Sequence, residues 1–387
     1  MSGSPVSDTS EKTKYYDAYM SRVGAEKMPV YEPSLGHQEI EFLTDVIQRN
    51  WLSEGKYVRE FESRLSRICQ RQFALTFCNA TAAFISGMKS LGIGPGDEVV
   101  VPSFAHSADP NSIAVTGATP VFADVDERTL CLSTDTIEAV RTRKTKAVLH
   151  INAYGNAGEL DDIAAYAKQH GLIFINDCAP ALYGTYRARS IASYGDFAVL
   201  SFFADKTITT GEGGMMLTDN ADLIGEANIY KHDGRRERGY DLIERIGFNF
   251  RITELQAAVG VAQLNRIEHF VRRKLEVLEA YRQDLAGIPE IELFRFNPEG
   301  GIVPHRVILL VPEARPLIDH LNARGIGVRT LFMPMHSMPV YKSAQRFPVT
   351  ERLYARGVCL PSAPTLTQAN IEYICDAIRD YYQRGHK

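Results

Sequence analysis

The segment LSFFADKTITTGEGGMMLTD sets one lysine, Lys206, at the end of an apolar run and just before a glycine-rich turn. An ammonium near apolar surroundings loses solvation, so its pKa falls and the neutral amine becomes available for imine formation with a carbonyl. Gly211, Gly213 and Gly214 let the backbone turn closely beside a bound ring. Two further segments carry matching chemistry. In FINDCAPALYG, Asp177 closes another apolar run, at the carboxyl edge where open α/β sheets bind ligands, and its carboxylate could pair with a protonated ring nitrogen. In FCNATAAF a strand runs into a helix, which puts the amides around Ala80, Thr81 and Ala82 at a helix N-terminus, a natural phosphate site. Each feature alone also has a plain structural reading: a solvated strand-end lysine, an aspartate capping a helix, a helix whose first turn meets only water.

Chemistry at these positions requires a sheet whose strand ends converge, and the hydrophobic pattern provides one. EVVVPS, TPVFADV, AVLHINAYG, LIFINDCA, FAVLSFF and GGMMLTD are short apolar runs separated by turn residues and helical segments. Such runs suit strands covered on both faces and predict a mainly parallel sheet with crossover helices. Ahead of them, residues 36–68 read as a helix, the turn Trp51–Gly55 and a second helix. ALTFCN is a further strand, followed by a helix that aligns Ala82, Ile85, Met88 and Leu91 on one face and stops at the glycines from Gly92 to Gly96. Asp161 to His170 reads as a helix ending at Gly171. Beyond the sheet, Leu255, Ala258, Val259, Ala262, Leu264 and Ile267 keep a helical period, which predicts one long helical stretch over 253–285. It leads into a smaller unit where VILLV and GVRTLF alternate with helices near 316–324 and 368–383. The expected division is a flexible tail at 1–27, a large domain at 28–265 and a small C-terminal α/β domain at 266–387.

Bulk properties narrow the partners. A chain of 387 residues with 45% hydrophobic content can bury a sizeable core. A net charge of −4 speaks against a nucleic-acid or membrane-surface partner, so an anionic substrate would be met by a few local cations. Cys69, Cys78, Cys131, Cys178, Cys359 and Cys375 form no C-x-x-C pair and no Cys/His cluster at metal-ligand spacing, so free thiols and no metal are expected. No apolar run approaches the roughly 18 to 20 residues of a membrane span. The opening MSGSPVSDTSEK lacks the apolar stretch of a signal peptide, and a cytoplasmic protein is expected.

In their order and spacing, the segments resemble the DegT/DnrJ/EryC/StrS group of sugar aminotransferases, a branch of the fold-type I pyridoxal-phosphate (PLP) enzymes. WLSEG, LGIGPGDEVVVPSF, GATPVFADVD, SFFADKTITTGEGG, GFNFRITELQAAVGVAQL and GVCLPSAPTLT carry the resemblance, which runs from about Met28 to Tyr382. MPVYEPSL and KTITTGEGG point within the group toward sugar-nucleotide 4-aminotransferases of the perosamine-synthase kind. The resemblance implies the fold-type I α/β architecture, PLP as cofactor, and transfer of an amino group from an L-amino acid, by family likeness L-glutamate. The implied acceptor is a keto group on a nucleotide-linked sugar or a related cyclitol. It implies Lys206 as the imine-forming and proton-moving lysine, Asp177 as partner of the pyridine nitrogen, Ser201 as a phosphate-binding serine, and Ala80 and Thr81 as the phosphate-loop amides. Asn249, in GFNFR, matches an asparagine that reaches the phosphate of a neighbouring subunit, hence a homodimer with shared active sites. His106 stands where an aromatic usually stacks on the ring, and His336, in FMPMHSMP, at a position near the substrate; each is otherwise an ordinary loop histidine.

The chain departs from the family pattern in several places around this site. Ala80 stands where a glycine is usual, and Pro180 replaces a residue that touches the cofactor's phenolic oxygen. Asp109-Pro110 interrupts a stretch of small or apolar residues in SFAHSADPN. These departures keep open a second reaction class on the same lysine, a PLP-dependent lyase, dehydratase or decarboxylase of a specialised biosynthetic pathway.

Overall fold

The computed structural model describes residues 28–237, 239 and 241–383. The tail assigned to 1–27 lies outside the described residues. Among the described residues two helices come first, α1 (His37–Gln48) and α2 (Lys56–Ile68), joined through the predicted turn. The central sheet then assembles in the order β1 (Phe73–Phe77), α3 (Ala80–Ser90), β2 (Glu98–Pro102), α4 (Ala108–Thr116) and β3 (Thr119–Ala123). It continues with α5 (Thr134–Glu138), β4 (Thr145–Ile151), α6 (Leu160–His170) and β5 (Ile173–Asp177). A small hairpin, β6 (Thr185–Tyr186) and β7 (Arg189–Ser190), precedes β8 (Phe197–Ser201), β9 (Gly214–Thr218) and α7 (Ala221–Lys231).

Seven strands lie in the order β1-β9-β8-β5-β4-β2-β3. β3, β2, β4, β5 and β8 pair in parallel, while β9 runs antiparallel to both its neighbours. This is the expected mainly parallel α/β sheet. Side chains alternate between its two faces, as a period of two requires. Val100, Val148, Phe174, Ala198 and Leu200 pack on the face covered by α2 and α6, whereas Val99, Leu149, Ile175, Phe197 and Val199 pack on the face of α3 and α4. Both faces are dry, which is why the strands read as continuous apolar runs rather than as alternating ones.

The stretch predicted as one long helix is two, α8 (Glu254–Leu264) and α9 (Ile267–Asp284). The break falls at Asn265 and Arg266, and tertiary contacts impose it. Arg266 leaves helical geometry at φ −116°, ψ 10° and gives its guanidinium to Ser34 O at 2.7 Å and to the Glu39 carboxylate. Asn265 Oδ1 accepts from Arg64 Nη1 at 2.7 Å. The residue that opens α8 anchors α2 as well: the buried Glu254 carboxylate accepts from Gly55 N (2.8 Å), Tyr57 N (2.8 Å) and Val58 N (3.2 Å). These donors at the start of α2 have no acceptor within their own helix, and a carboxylate also suits the positive end of the helix dipole.

Beyond α9 come β10 (Glu292–Leu293), β11 (Gly300–Gly301), β12 (Val307–Leu310), α10 (Ala314–Asn322), β13 (Arg329–Thr330), α11 (Pro348–Arg356), β14 (Gly357–Leu360) and α12 (Gln368–Gln383). β10-β12-β14-β13 form an antiparallel sheet, and β11 pairs with β6. One face of this sheet buries Val307, Leu309, Val358 and Leu360 against α9, α10 and α12. The other presents Ile308, Leu310, Leu331 and Cys359 to Phe104, Val125 and Tyr154 of the central-sheet layer. That second contact holds the C-terminal layer against the carboxyl edge of the central strands.

Candidate active site

At this edge lies a cavity of about 600 Å³. Ala80, Thr81, His106, Asp177, Ser201 and Lys206 line it together, although 126 residues of chain separate the first from the last. Phosphate chemistry is supported on one side. Asn79 caps α3 by accepting from Ala82 N at 2.9 Å, which leaves the amides of Ala80 and Thr81 at the open end of the helix. The backbone of Gly214 lies directly beneath this turn. A methyl group there would stand 2.4 Å from Asn79 C and O and 2.5 Å from Ala80 N, so only glycine lets β9 approach the loop this closely.

Lys206 sits on the turn between β8 and β9. Phe202 N donates to Gly213 O and Thr210 N to Phe202 O, both at 2.9 Å, and these bonds close the base of the turn. Gly211 at φ +80° is the one glycine of this turn that needs left-handed freedom. Tyr31 reaches across from the N-terminal segment and its hydroxyl donates to Lys206 O at 2.5 Å. Burial pushes the Lys206 ammonium below its ordinary value, against the opposing pull of the Asp205 and Asp177 carboxylates. Asp205, next to it in sequence, is held by Arg306 Nη2 at 2.5 Å.

Asp177 ends β5 with 5% exposure, and its Oδ1 accepts from Ala179 N at 2.8 Å. Burial raises its pKa to about 6, while Ala179 N–H and Lys206 draw it the other way. Ser201 ends β8 and is 8% exposed. His106 lines the cavity; its Nδ1 accepts from Ala108 N at 3.2 Å, and burial followed by Lys206 lowers its pKa. Pro180 lines the wall where a polar side chain was expected to be missing. The arrangement can therefore hold an anion at a helix end and bring into one cavity an amine whose proton affinity burial lowers and a buried carboxylate.

Two expected residues are not in this cavity. His336 is 6% exposed and does not line it: Nδ1 lies 2.7 Å from Ser103 Oγ and Nε2 3.3 Å from a Glu351 oxygen, with Phe347 packed on the ring. The imidazole ties the loop after β13 to the end of β2, and both ring nitrogens are already engaged. Asn249 is exposed and bridges to His232 beside a second cavity of about 500 Å³, which Arg235, Arg236 and Arg251 also line.

The C-terminal layer adds groups that the sequence reading did not single out. His305, Arg306, Arg329 and Phe332 line the cavity, and Tyr154 stacks on Phe332 with ring centroids 4.7 Å apart. Only the HisArg pair ahead of VILLV hinted at them, and it carries no signal until the fold brings β12 to the site.

Residues 33–379 match the model of the DegT/DnrJ/EryC1/StrS aminotransferase family. The chain belongs to this family. The sugar aminotransferases of the family are PLP-dependent, and so is this one in kind; the family's chemistry sets aside the lyase, dehydratase or decarboxylase alternative. Among its curated relatives is the GDP-perosamine synthase of Escherichia coli O157:H7, 35% identical over 366 residues, which are 92% of this chain and 98% of the relative. The dTDP-4-dehydro-2,3,6-trideoxy-D-glucose 4-aminotransferase of Saccharopolyspora spinosa is 31% identical over 90% of this chain and 94% of its own. Among solved structures, the aminotransferase TlmJ from Streptoalloteichus hindustanus superposes with a TM-score of 0.89 at 27% identity, covering 92% of this chain and 99% of its own.

Proposed function

We propose that this aminotransferase binds PLP in the 600 Å³ cavity and moves an amino group from an L-amino acid, L-glutamate by family likeness, to the keto group of a nucleotide-linked sugar or related cyclitol. The observation that carries the reading is the convergence of Lys206, Asp177 and the open end of α3 on one cavity. The names of the relatives, a GDP-sugar and a dTDP-sugar enzyme, favour a nucleotide-linked acceptor.

The residues fit the cofactor. Ala80 and Thr81 amides with Ser201 would hold the phosphate, His106 would cover the ring, and Asp177 would meet the pyridine nitrogen. When bound, PLP supplies an aldehyde that condenses with amines and a protonated ring that delocalises negative charge. Lys206 Nζ, whose proton affinity burial lowers, would take the proton from the donor's α-carbon and later return one to the acceptor carbon. Asp177 as the anion would hold a proton on the ring nitrogen of a bound cofactor. Tyr154, Phe332 and Pro180 line the same cavity.

The same reading makes the enzyme a homodimer in which Asn249 reaches the partner's phosphate site. Supporting it, apolar side chains stand exposed on α1 and the turn after it (Ile40, Ile47, Trp51, Leu52) and on the segment approaching Asn249, where Ile246 is 86% exposed. Apolar area of that extent suits a second copy of the chain. We also propose a division into a large domain at 28–265 and a small one at 266–387, which the break between α8 and α9 and the separate core of the C-terminal sheet favour. A cytoplasmic location is proposed on the six free cysteines.

The test is a half-reaction. Purified protein loaded with PLP and mixed with L-glutamate, without acceptor, is expected to release about one equivalent of 2-oxoglutarate per site, and Lys206→Ala none. No oxo-acid from any amino donor would sink the proposal.

A further inference from the structure

Asp109 was legible only as an oddity of the SFAHSADPN loop. In the structure it opens the first turn of α4, is 1% exposed, and lines the cavity beside Asp177. The two carboxyl groups face each other within hydrogen-bonding reach. No donor among the described residues serves Asp109 Oδ1, whereas Asp177 Oδ1 has the Ala179 N–H. The other charged group facing Asp109 is Lys206, on the turn after β8, and His106 stands on its own loop.

A buried carboxylate without donors is strongly disfavoured, and two carboxylates in contact cannot both ionise. One proton must lie between them. It belongs on Asp109, because the Ala179 N–H stabilises the Asp177 anion while Asp109 Oδ1 has no donor among the described residues. Burial and the Asp177 charge also push the Asp109 carboxyl well above its usual range.

We propose that Asp109 is a positioning residue whose protonated carboxyl donates a hydrogen bond to the Asp177 carboxylate, the two forming a pair that shares one proton at the floor of the cavity. This rests on the reading of Asp177 as the partner of a bound ring nitrogen. Asp177 then accepts from Asp109 O–H, from Ala179 N–H and from the ring N–H. Each added donor lowers the basicity of Asp177, so the third proton stays on the ring nitrogen instead of moving to the carboxylate. Asp109 touches neither donor nor acceptor substrate in this arrangement; it acts through Asp177.

The variants Asp109→Asn and Asp109→Leu separate this from a packing role, since both nearly conserve volume and only asparagine can still donate. In infrared spectra of the full-length protein at neutral pH, before PLP is added, the wild type is expected to show a buried protonated-carboxyl band that both variants lack. With PLP, Asp109→Asn should bind the cofactor within about threefold of wild type and keep the pH profile of its absorbance, while Asp109→Leu should bind it about tenfold or more weakly. In Asp109→Leu the absorbance profile should shift and kcat should fall without a matching change in KM for the donor. A protonated-carboxyl band that survives in Asp109→Leu, or a leucine variant that matches the asparagine variant in affinity and absorbance profile, overturns the proposal. A wild-type protein that fails to bind PLP overturns the cofactor reading instead; the infrared band reports the shared proton by itself.

Discussion

Replacing Gly214 by alanine tests whether the close approach of β9 to the α3 N-terminus builds the phosphate site. Gly214 pairs with Phe77 at the end of β1 and with Ser201 at the end of β8, so its backbone is fixed from both sides. The added methyl would meet Asn79 C and O at 2.4 Å and Ala80 N at 2.5 Å. These are backbone atoms, and no rotamer change relieves them. Ordinary carbon contacts lie near 3.5–4.0 Å, so the Asn79–Ala80 turn must retreat by about 1 Å. Overpacking of that kind costs about 1–3 kcal/mol. A 1 Å retreat also takes the Ala80 and Thr81 amides out of line with a phosphate, and one lost hydrogen bond to a charged group is worth about 1.5–3 kcal/mol. At 1.4 kcal/mol per tenfold, PLP affinity should fall about 10- to 100-fold. The assay is titration of the purified apo protein with PLP, alongside a thermal melt. Gly225→Ala, on α7 with open space around the new methyl, is the control and should leave both unchanged or slightly raise stability. If Gly214→Ala binds PLP as tightly as wild type and melts at the same temperature, the glycine is not what shapes the site.

Two further outcomes follow from buried charges away from the reacting atoms. Glu254→Ala strands three amide donors at the start of α2 and should lower stability by about 3 kcal/mol in urea unfolding; Glu254→Gln, which keeps one acceptor oxygen, should recover part of the loss. Lys274 is buried with its Nζ on Pro304 O at 3.3 Å, and burial followed by the Arg306 charge lowers its pKa to about 7. Because the unfolded chain holds this proton up to about pH 10.4 and the folded chain releases it near 7, wild-type stability gains up to about 1.4 kcal/mol per pH unit across that window from this group. Lys274→Met removes the gain, so the stability difference, variant minus wild type, should be largest at or below pH 7 and shrink toward pH 10. A difference that does not vary with pH would show that Lys274 titrates normally.

The central sheet was legible because its chemistry is local and repeated. Strands buried on both faces read as apolar runs, and parallel connection puts their carboxyl ends on one edge, so Asp177, Ser201 and Lys206 had to meet once the runs were recognised. What stayed hidden depends on partners far away in the chain. The helix break at Arg266 is set by Glu39 and Ser34, which no helical period in residues 253–285 can report. His336 reads as a loop histidine near substrate until Ser103 and Glu351 take both of its nitrogens. The same holds behind the reactive lysine, where Arg306 from the start of β12 fixes Asp205 and Tyr31 caps the Lys206 carbonyl. These contacts come from opposite ends of the chain, yet they decide how the amine is held. Two links thus govern Lys206: the sheet supplies its position, and the C-terminal layer adds to the burial that lowers the proton affinity of its amine. A substitution that loosens the Arg306–Asp205 pair should therefore change the proton affinity of Lys206 without moving the strand that carries it.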